Sequence, residues 1–118
     1  MSSFPEIFNN VLNQLAVEYN LKIAKETHYE TINRELIWFE GNIQKRINLT
    51  FMGDFIDITY YKTFFTICPK ICLWLHNNIP MFPLLGKITY LELDKLMLDK
   101  QVNYPDKLKS YIEYAMKN

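Results

Sequence analysis

Three side chains that could bind a metal ion lie at steps of four residues in the middle of the chain, namely Cys68, Cys72 and His76. Such steps place all three on one side of a helix, and equally on one face of a strand. Two thiolates and an imidazole suit zinc, but no fourth ligand follows at a matching spacing, and Pro69 disturbs the geometry. The apolar neighbours of both cysteines favour core packing. The sequence therefore predicts no metal and no cofactor.

Acidic and nucleophilic residues show no spacing that indicates catalysis. The chain has two histidines and three glycines, and it lacks the nucleophile-elbow, zinc-protease, phosphate-loop and dinucleotide-binding motifs. Several carboxylates fall near predicted strands and turns, where solvated side chains are the rule: Glu30, Glu35, Glu40, Asp54 and Asp57. A catalytic pair needs one desolvated and one ionised member, and nothing marks such a pair. We therefore favour a protein that is not an enzyme.

Aromatic and basic side chains occur together in two predicted strands. Lys45, Arg46, Tyr60, Tyr61 and Lys62 form a small version of the pattern that stacks on single-stranded nucleic acid. The 13 basic residues are balanced by 13 acidic ones, so no overall field attracts nucleic acid or an anionic membrane. No apolar run reaches the ~18 residues that a membrane span requires. We predict no nucleic-acid partner and no membrane association.

Size and composition indicate one globular domain over residues 1–118. Apolar residues make up 49% of the chain, charged residues 22% and aromatic residues 15%. The first ten residues lack the basic start and the apolar run of a signal peptide. Two cysteines do not make a disulfide framework and suit a reducing compartment. These features predict a cytoplasmic protein.

Apolar residues at helical spacing predict three helices that must position any site. The first covers 4–19, begins at a capping box from Ser3 to Glu6 and carries one apolar stripe. A second is predicted from a capping box at Thr89 to about residue 100, with Leu93, Leu96 and Met97 as its stripe. The last covers 105–117 and begins at Pro105.

Two dipeptides that begin with glycine predict two-residue hairpin turns, Gly41-Asn42 and Gly53-Asp54. They join predicted strands at 31–40, 43–52 and 55–62. A fourth strand is predicted at 64–68, where Pro69 ends it, bulges it or starts a short helix. Segment 21–31 is predicted to be a loop that leads into the first strand. The fold class is thus α+β, an antiparallel meander of about four strands with an N-terminal helix and C-terminal helices packed on one face.

The second turn can be checked by the strand register that it imposes. It pairs Phe51 with Ile56 and Leu49 with Ile58 on one face, which we predict to be the face under the helices. A one-residue slip would exchange the two faces, so this agreement supports the register. The first turn is less clean, because a two-residue loop places Arg34 among the core residues unless a bulge moves it.

The opposite face carries Met52, Phe55 and Tyr61, and the simple register of the first turn adds Ile37 and Phe39. Either segment 70–85 folds over this face as a second small core, or the face stays accessible and docks a partner or a second copy. Arg and Tyr dominate binding hot spots. The candidate partner-binding residues are Phe39, Arg46, Met52, Phe55, Asp57 and Tyr61, with Arg46 and Tyr61 as anchors.

These features favour a non-catalytic protein-binding module, for example an immunity protein or a chaperone that masks one cognate partner protein. The example rests on small size and general character rather than on a motif. Two other classes stay open. One is a small enzyme whose site is assembled by tertiary contacts, and the other is a subunit that forms a homo-oligomer through an exposed face or edge strand.

Overall fold

A computed structural model describes residues 6–28, 31–97 and 104–118 of the chain. The five strands form one sheet in sequence order, with every neighbouring pair antiparallel. The predicted α+β meander is confirmed, with five strands in place of about four. The elements in chain order are α1 (Glu6–Tyr19), β1 (Lys22–His28), β2 (Thr31–Glu40), β3 (Ile43–Phe51), β4 (Phe55–Phe65), α2 (Pro69–Asn78), β5 (Gly86–Met97) and α3 (Tyr104–Lys117).

Both predicted hairpin turns are present. Gly41 and Gly53 have φ angles of 63° and 88°, as the first position of a type II′ turn requires. Glu40 pairs with Ile43 across the first turn, without a bulge. Across the second turn Leu49 pairs with Ile58, and Phe51 with Ile56, so the predicted register is confirmed.

The core lies between the sheet and the two terminal helices. Leu49, Ile56 and Ile58 are fully buried, which confirms that they face the helices. Helix α1 ends at Tyr19 and is followed by Asn20, whose φ of 57° is the left-handed conformation common just after a helix. Residues 4 and 5 of the predicted helix 4–19 lie outside the described residues. The helices contribute Phe8, Val11, Leu12, Leu15 and Ala16 from α1, and Leu108, Ile112 and Ala115 from α3.

Arg34 lies on the core face, as the two-residue turn predicted. Its Nε donates a hydrogen bond to Asn9 Oδ1 of α1 at 3.1 Å, and its terminal nitrogen donates to the Asn33 carbonyl at 3.0 Å. A guanidinium can therefore sit at the border of this core because its donors are paired. None of the described helices has the length and apolar character needed to cross a membrane.

Three side chains of the sheet hold the C-terminal end of α3. Lys45 Nζ donates to the Met116 carbonyl at 3.3 Å, and the Tyr60 hydroxyl donates to the Ala115 carbonyl at 3.2 Å. Lys62 Nζ donates to the carbonyl of Asn118. Cations and donors are favourable here because the last carbonyls of a helix have no partner within it.

Lys45 is almost fully buried and has a counter-charge in Glu40. Its Nζ lies 3.0 Å from both carboxylate oxygens of Glu40, and Trp38 Nε1 donates to the same carboxylate at 2.9 Å. Burial acts to raise the pKa of Glu40, but the hydrogen bonds from Trp38 and Lys45 outweigh it and hold the pKa below its ordinary value. The buried ammonium is therefore paired and hydrogen-bonded.

Three element predictions are wrong. Segment 21–31 forms strand β1 where we predicted a loop, although residues 29 and 30 lie outside the described residues. The predicted fourth strand at 64–68 does not form, because β4 continues to Phe65 and α2 begins at Pro69. The predicted helix from Thr89 to about residue 100 is strand β5 as far as Met97, and residues 98–100 lie outside the described residues.

Candidate partner-binding face

The second face is defined here as the side of the sheet that points away from α1 and α3. Side chains alternate between the two faces along each strand, so the residues next to a buried core residue point to the second face. All six predicted partner-binding residues lie on this side: Phe39 in β2, Arg46 in β3, Met52 in the turn after β3, and Phe55, Asp57 and Tyr61 in β4.

The two predicted anchors, Arg46 and Tyr61, face each other across β3 and β4. The guanidinium carbon of Arg46 lies 4.9 Å from the centroid of the Tyr61 ring, which is cation–π distance. One terminal nitrogen of Arg46 lies 3.4 Å from Glu35 Oε2, and the Tyr61 ring lies 6.1 Å from the Tyr90 ring on β5. These contacts hold a cation and an aromatic ring together at the middle of the face.

Around the anchors the second face is mixed, with Ile37 opposite Arg46 on β2 and polar side chains beside it on β2 and β3. Asn48 Nδ2 donates to Glu35 Oε2 at 3.4 Å, and Thr50 Oγ1 donates to Asn48 Oδ1 at 2.8 Å. Within the described residues, Arg46 Nε, Asn33 Oδ1 and Asp57 Oδ1 are buried without a hydrogen-bond partner. Unpaired buried polar atoms are rare and each calls for an explanation, such as a group that a partner supplies.

Asp57 and Glu92 form a carboxyl pair on this face. Burial raises the pKa of the Asp57 carboxyl, the charge and hydrogen bond of Glu92 raise it further, and Lys95 opposes both. Lys95 Nζ lies 3.6 Å from Glu92 Oε1 and 5.6 Å from the centroid of the Phe55 ring. The described residues bring no group of three or more histidine, cysteine or acidic side chains together at one point.

We expect Asp57→Asn to raise the free energy of unfolding at neutral pH. The folded state disfavours the ionised Asp57, since its pKa is raised above the ordinary value of 3.8. The ionised Asp57 lowers the stability of the wild type at every pH above the pKa that this residue has in the folded state. The loss of stability disappears as the pH falls toward 3.8. Urea denaturation at a series of pH values should show the advantage of the variant shrinking on acidification. An advantage that is constant with pH would contradict the assignment.

The two ends of the second face are apolar, but the described residues cover only one of them. At the open end Met52 is 50% exposed and lies beside Phe55 and Met97. At the other end Thr63 and Phe65 are buried beside the turn and helix that follow β4. A pocket of about 320 Å³ separates Phe39 and Gly41 from Cys68, Pro69 and Lys70. Segment 70–85 therefore covers one end of the face and leaves its middle open.

The cysteines and histidine weighed as metal ligands do not converge. Cys68 is exposed at the start of α2, whereas Cys72 is fully buried with its Sγ 3.6 Å from the Leu85 carbonyl. His76 Nδ1 lies 2.8 Å from the Phe82 carbonyl, which fixes the proton of a neutral ring on that nitrogen. In the structure these residues pack within the segment between β4 and β5 and hold it by hydrogen bonds.

The five aromatic and basic residues weighed for nucleic acid are divided between the two faces. Lys45, Tyr60 and Lys62 hold α3 on the core face, and Arg46 and Tyr61 lie on the second face. Sequence reasoning missed Glu92 and Lys95 of the second face, because it assigned them to a helix. The hairpin registers place Glu35 and Asn48 on this face, where they pair across β2 and β3. No family model, curated protein or solved structure matches this chain.

Proposed function

We propose that this chain is a non-catalytic protein-binding module whose second face docks one cognate partner protein, in the manner of an immunity protein or a chaperone. The observation that carries the proposal is the Arg46–Tyr61 pair, held on the same sheet face as an exposed apolar end. Cytoplasmic location and the lack of a nucleic-acid partner stay predictions from composition.

The chemistry of this face suits a protein surface. Arg and Tyr side chains that are already fixed by neighbours lose little conformational freedom on binding, and they are the residue types that most often anchor interfaces. The Arg46 side chain is 24% exposed, so the exposed part of its guanidinium offers donors to a carboxylate or carbonyl of the partner. Met52 offers a flexible apolar contact at the open end of the same face.

A small enzyme is the alternative, and the Asp57–Glu92 pair is the observation that favours it. A desolvated carboxyl beside a second carboxyl is an arrangement that acid–base catalysis uses. Catalysis also requires a group that binds the substrate, and the described residues gather no metal-binding group of three histidine, cysteine or acidic side chains around the pair. Docking uses the same face without that requirement, so we favour docking.

We expect Phe55→Ser combined with Tyr61→Ser to abolish partner binding while the domain stays folded. Both side chains are half-buried on the second face, so their loss removes contact surface and the support of Arg46. Tagged wild-type and variant chains should be used to capture partners from the cells that produce the protein, with mass spectrometry to identify them. Binding should then be measured with the purified partner, for which we expect a loss of roughly 100-fold or more.

The matched control is Val17→Ser combined with Met81→Ser. These side chains are 84% and 100% exposed, and they lie on α1 and in the loop after α2 rather than on a strand of the second face. The control should bind like the wild type. Unfolding of the Phe55/Tyr61 variant would identify the second face as internal core. A partner that both variants retain would bind elsewhere, and either result would overturn the proposal.

A further inference from the structure

Strand β5 forms an unprotected edge of the sheet. It is 12 residues long, it is last in the strand order, and it pairs with β4 alone among the described strands. Its residues from Lys87 to Glu92 are all exposed. The backbone N–H and C=O groups on its outer side are therefore free to pair with another extended strand.

Proline and a bulge, two of the usual devices that protect an edge strand, are missing from the exposed half of β5, and its charged side chains, Lys87 and Glu92, lie only at the two ends of this half. This half contains no proline, and the irregularity in its pairing with β4 lies beyond it, between Ile58 and Thr59 of β4. Apolar side chains point to both sides of it: Ile88 and Tyr90 on the second face, at 49% and 75% exposure, and Leu91 on the core face at 48%. A long, exposed and apolar edge is a template for association.

The opposite edge of the sheet is different. Strand β1 has seven residues, its sequence KIAKETH contains three charged side chains, and α1 packs beside it. Charge and shortness both discourage edge pairing. Of the two edges, β5 is therefore the one through which the sheet would associate with another strand.

We propose that two copies of this chain associate through β5, with the two strands antiparallel about a two-fold axis perpendicular to the sheet. Each copy then supplies the strand partner that the other lacks, and the two sheets become continuous. A two-fold interface uses the same residues on both sides, so one edge is sufficient for a closed dimer.

The charges of β5 favour a second copy as the occupant. The strand begins with Lys87 and carries Glu92 and Asp94 toward its other end. Antiparallel self-pairing brings Lys87 of one copy toward Asp94 of the other, which lies on the same core face, whereas parallel pairing would place Lys87 beside Lys87. The formal net charge of the chain is zero, so two copies do not repel each other as wholes.

The core-side flank of β5 offers a second, independent feature. A cavity of about 190 Å³ lies between Thr89 and Leu91 of β5, Tyr114 of α3 and Asn118, which follows α3. It leaves Leu91 and the 40% exposed Tyr114 uncovered at the edge of the sheet. A second β5 strand would project side chains over this cavity from its own core face. The proposed dimer leaves Arg46 and Phe55 accessible and is independent of the partner-binding proposal.

Ile88→Lys combined with Tyr90→Lys tests the proposal. Sedimentation of the wild type should give twice the chain mass of 14.2 kDa. Both replaced side chains are exposed in the single chain, so the variant should stay folded by circular dichroism. Lysines facing each other across the two-fold axis should weaken the dimer by about 100-fold or more. Val17→Lys combined with Met81→Lys adds the same charge at exposed positions elsewhere and should leave the dimer intact.

A charge-swap variant identifies the surface. Ile88→Glu combined with Tyr90→Glu should also be monomeric, and mixing it with the lysine variant should restore a dimer that contains one copy of each. A monomeric wild type would overturn the proposal. So would a lysine variant that remains dimeric, or two variants that do not combine, since in either case association would use another surface or none.

Discussion

Ile58→Ala is expected to lower the free energy of unfolding by roughly 2–5 kcal/mol, the usual cost of a cavity in a packed core. Ile58 is fully buried on the core face of β4, and Leu49, which is also fully buried, faces it from β3. The layer above them is formed by apolar residues of α1 and α3. Removing three carbons from Ile58 therefore takes contacts away from both layers at once.

Urea denaturation measures this loss, and Leu49→Ala should show a loss of the same size. Val17→Ala is the control, because Val17 is 84% exposed on α1 and should change the stability by less than ~0.5 kcal/mol. The double variant Leu49→Ala/Ile58→Ala should deviate from the sum of the single losses, since the two side chains share one region of the core. Losses under ~0.5 kcal/mol for both single variants would mean that the helices cover the other face.

The β3–β4 hairpin and the terminal helices could be predicted because local and long-range signals agree in them. Gly53 marks the turn, and the register that follows places Leu49, Phe51, Ile56 and Ile58 on one face. An apolar face of this kind needs apolar helical stripes to cover it, and both ends of the chain supply them. Agreement between turn chemistry, alternation and helical spacing is what makes a local sequence specify its structure.

Strand β5 could not be predicted because its bulge imitates helical spacing. The pairing with β4 runs from Thr59 with Glu92 to Ile58 with Asp94, so Leu93 is an extra residue in β5. Leu93 packs against the core, and Leu96 faces the core three residues later. Three-residue spacing of apolar residues is the signal of a helix, and Thr89 with Glu92 matches a capping box by coincidence. A bulge breaks the two-residue alternation on which strand prediction depends.

Strand β1 has too weak a local signal to be predicted. Its sequence is KIAKETH, in which Ile23 is the one large apolar residue. The strand forms because its backbone pairs with β2 along its whole length, from Lys22 opposite Ile37 to His28 opposite Thr31. Strand propensity depends on such pairing more than on the residues themselves.

The candidate site was predicted as a set of residues on one face but not in its electrostatics. The hairpin registers place Phe39, Arg46 and Tyr61 together, as expected. Glu92 and Lys95 belong to β5, so the mistaken helix removed them from consideration and with them the cause of the raised pKa of Asp57. The same registers place Lys45 on the core face and Arg46 on the second face. Their adjacency in the sequence alone does not reveal this difference.

Lys45→Ala is expected to lower the free energy of unfolding by roughly 2–4 kcal/mol, which is large for the loss of a lysine. Lys45 is 4% exposed, and its Nζ is bonded to Glu40 and to the Met116 carbonyl at the end of α3. The substitution removes the packing of the aliphatic stem, the ion pair and the partner of a helix carbonyl. Because Glu40 is 42% exposed, water compensates part of the loss.

Lys45→Met separates these contributions by keeping most of the stem and removing the charge, so it should cost less than Lys45→Ala. The exposed Lys70 provides the control, and Lys70→Ala should change the stability by less than ~0.5 kcal/mol in urea denaturation. Because the pKa of Glu40 is lowered in the folded state, its ionised carboxylate contributes fully to the free energy of unfolding above the ordinary pKa of 4.5. This contribution is lost as the pH falls below 4.5. The cost of Lys45→Met should therefore shrink in acid. A Lys45→Ala variant as stable as Lys70→Ala would show that the ammonium does not hold α3 in place.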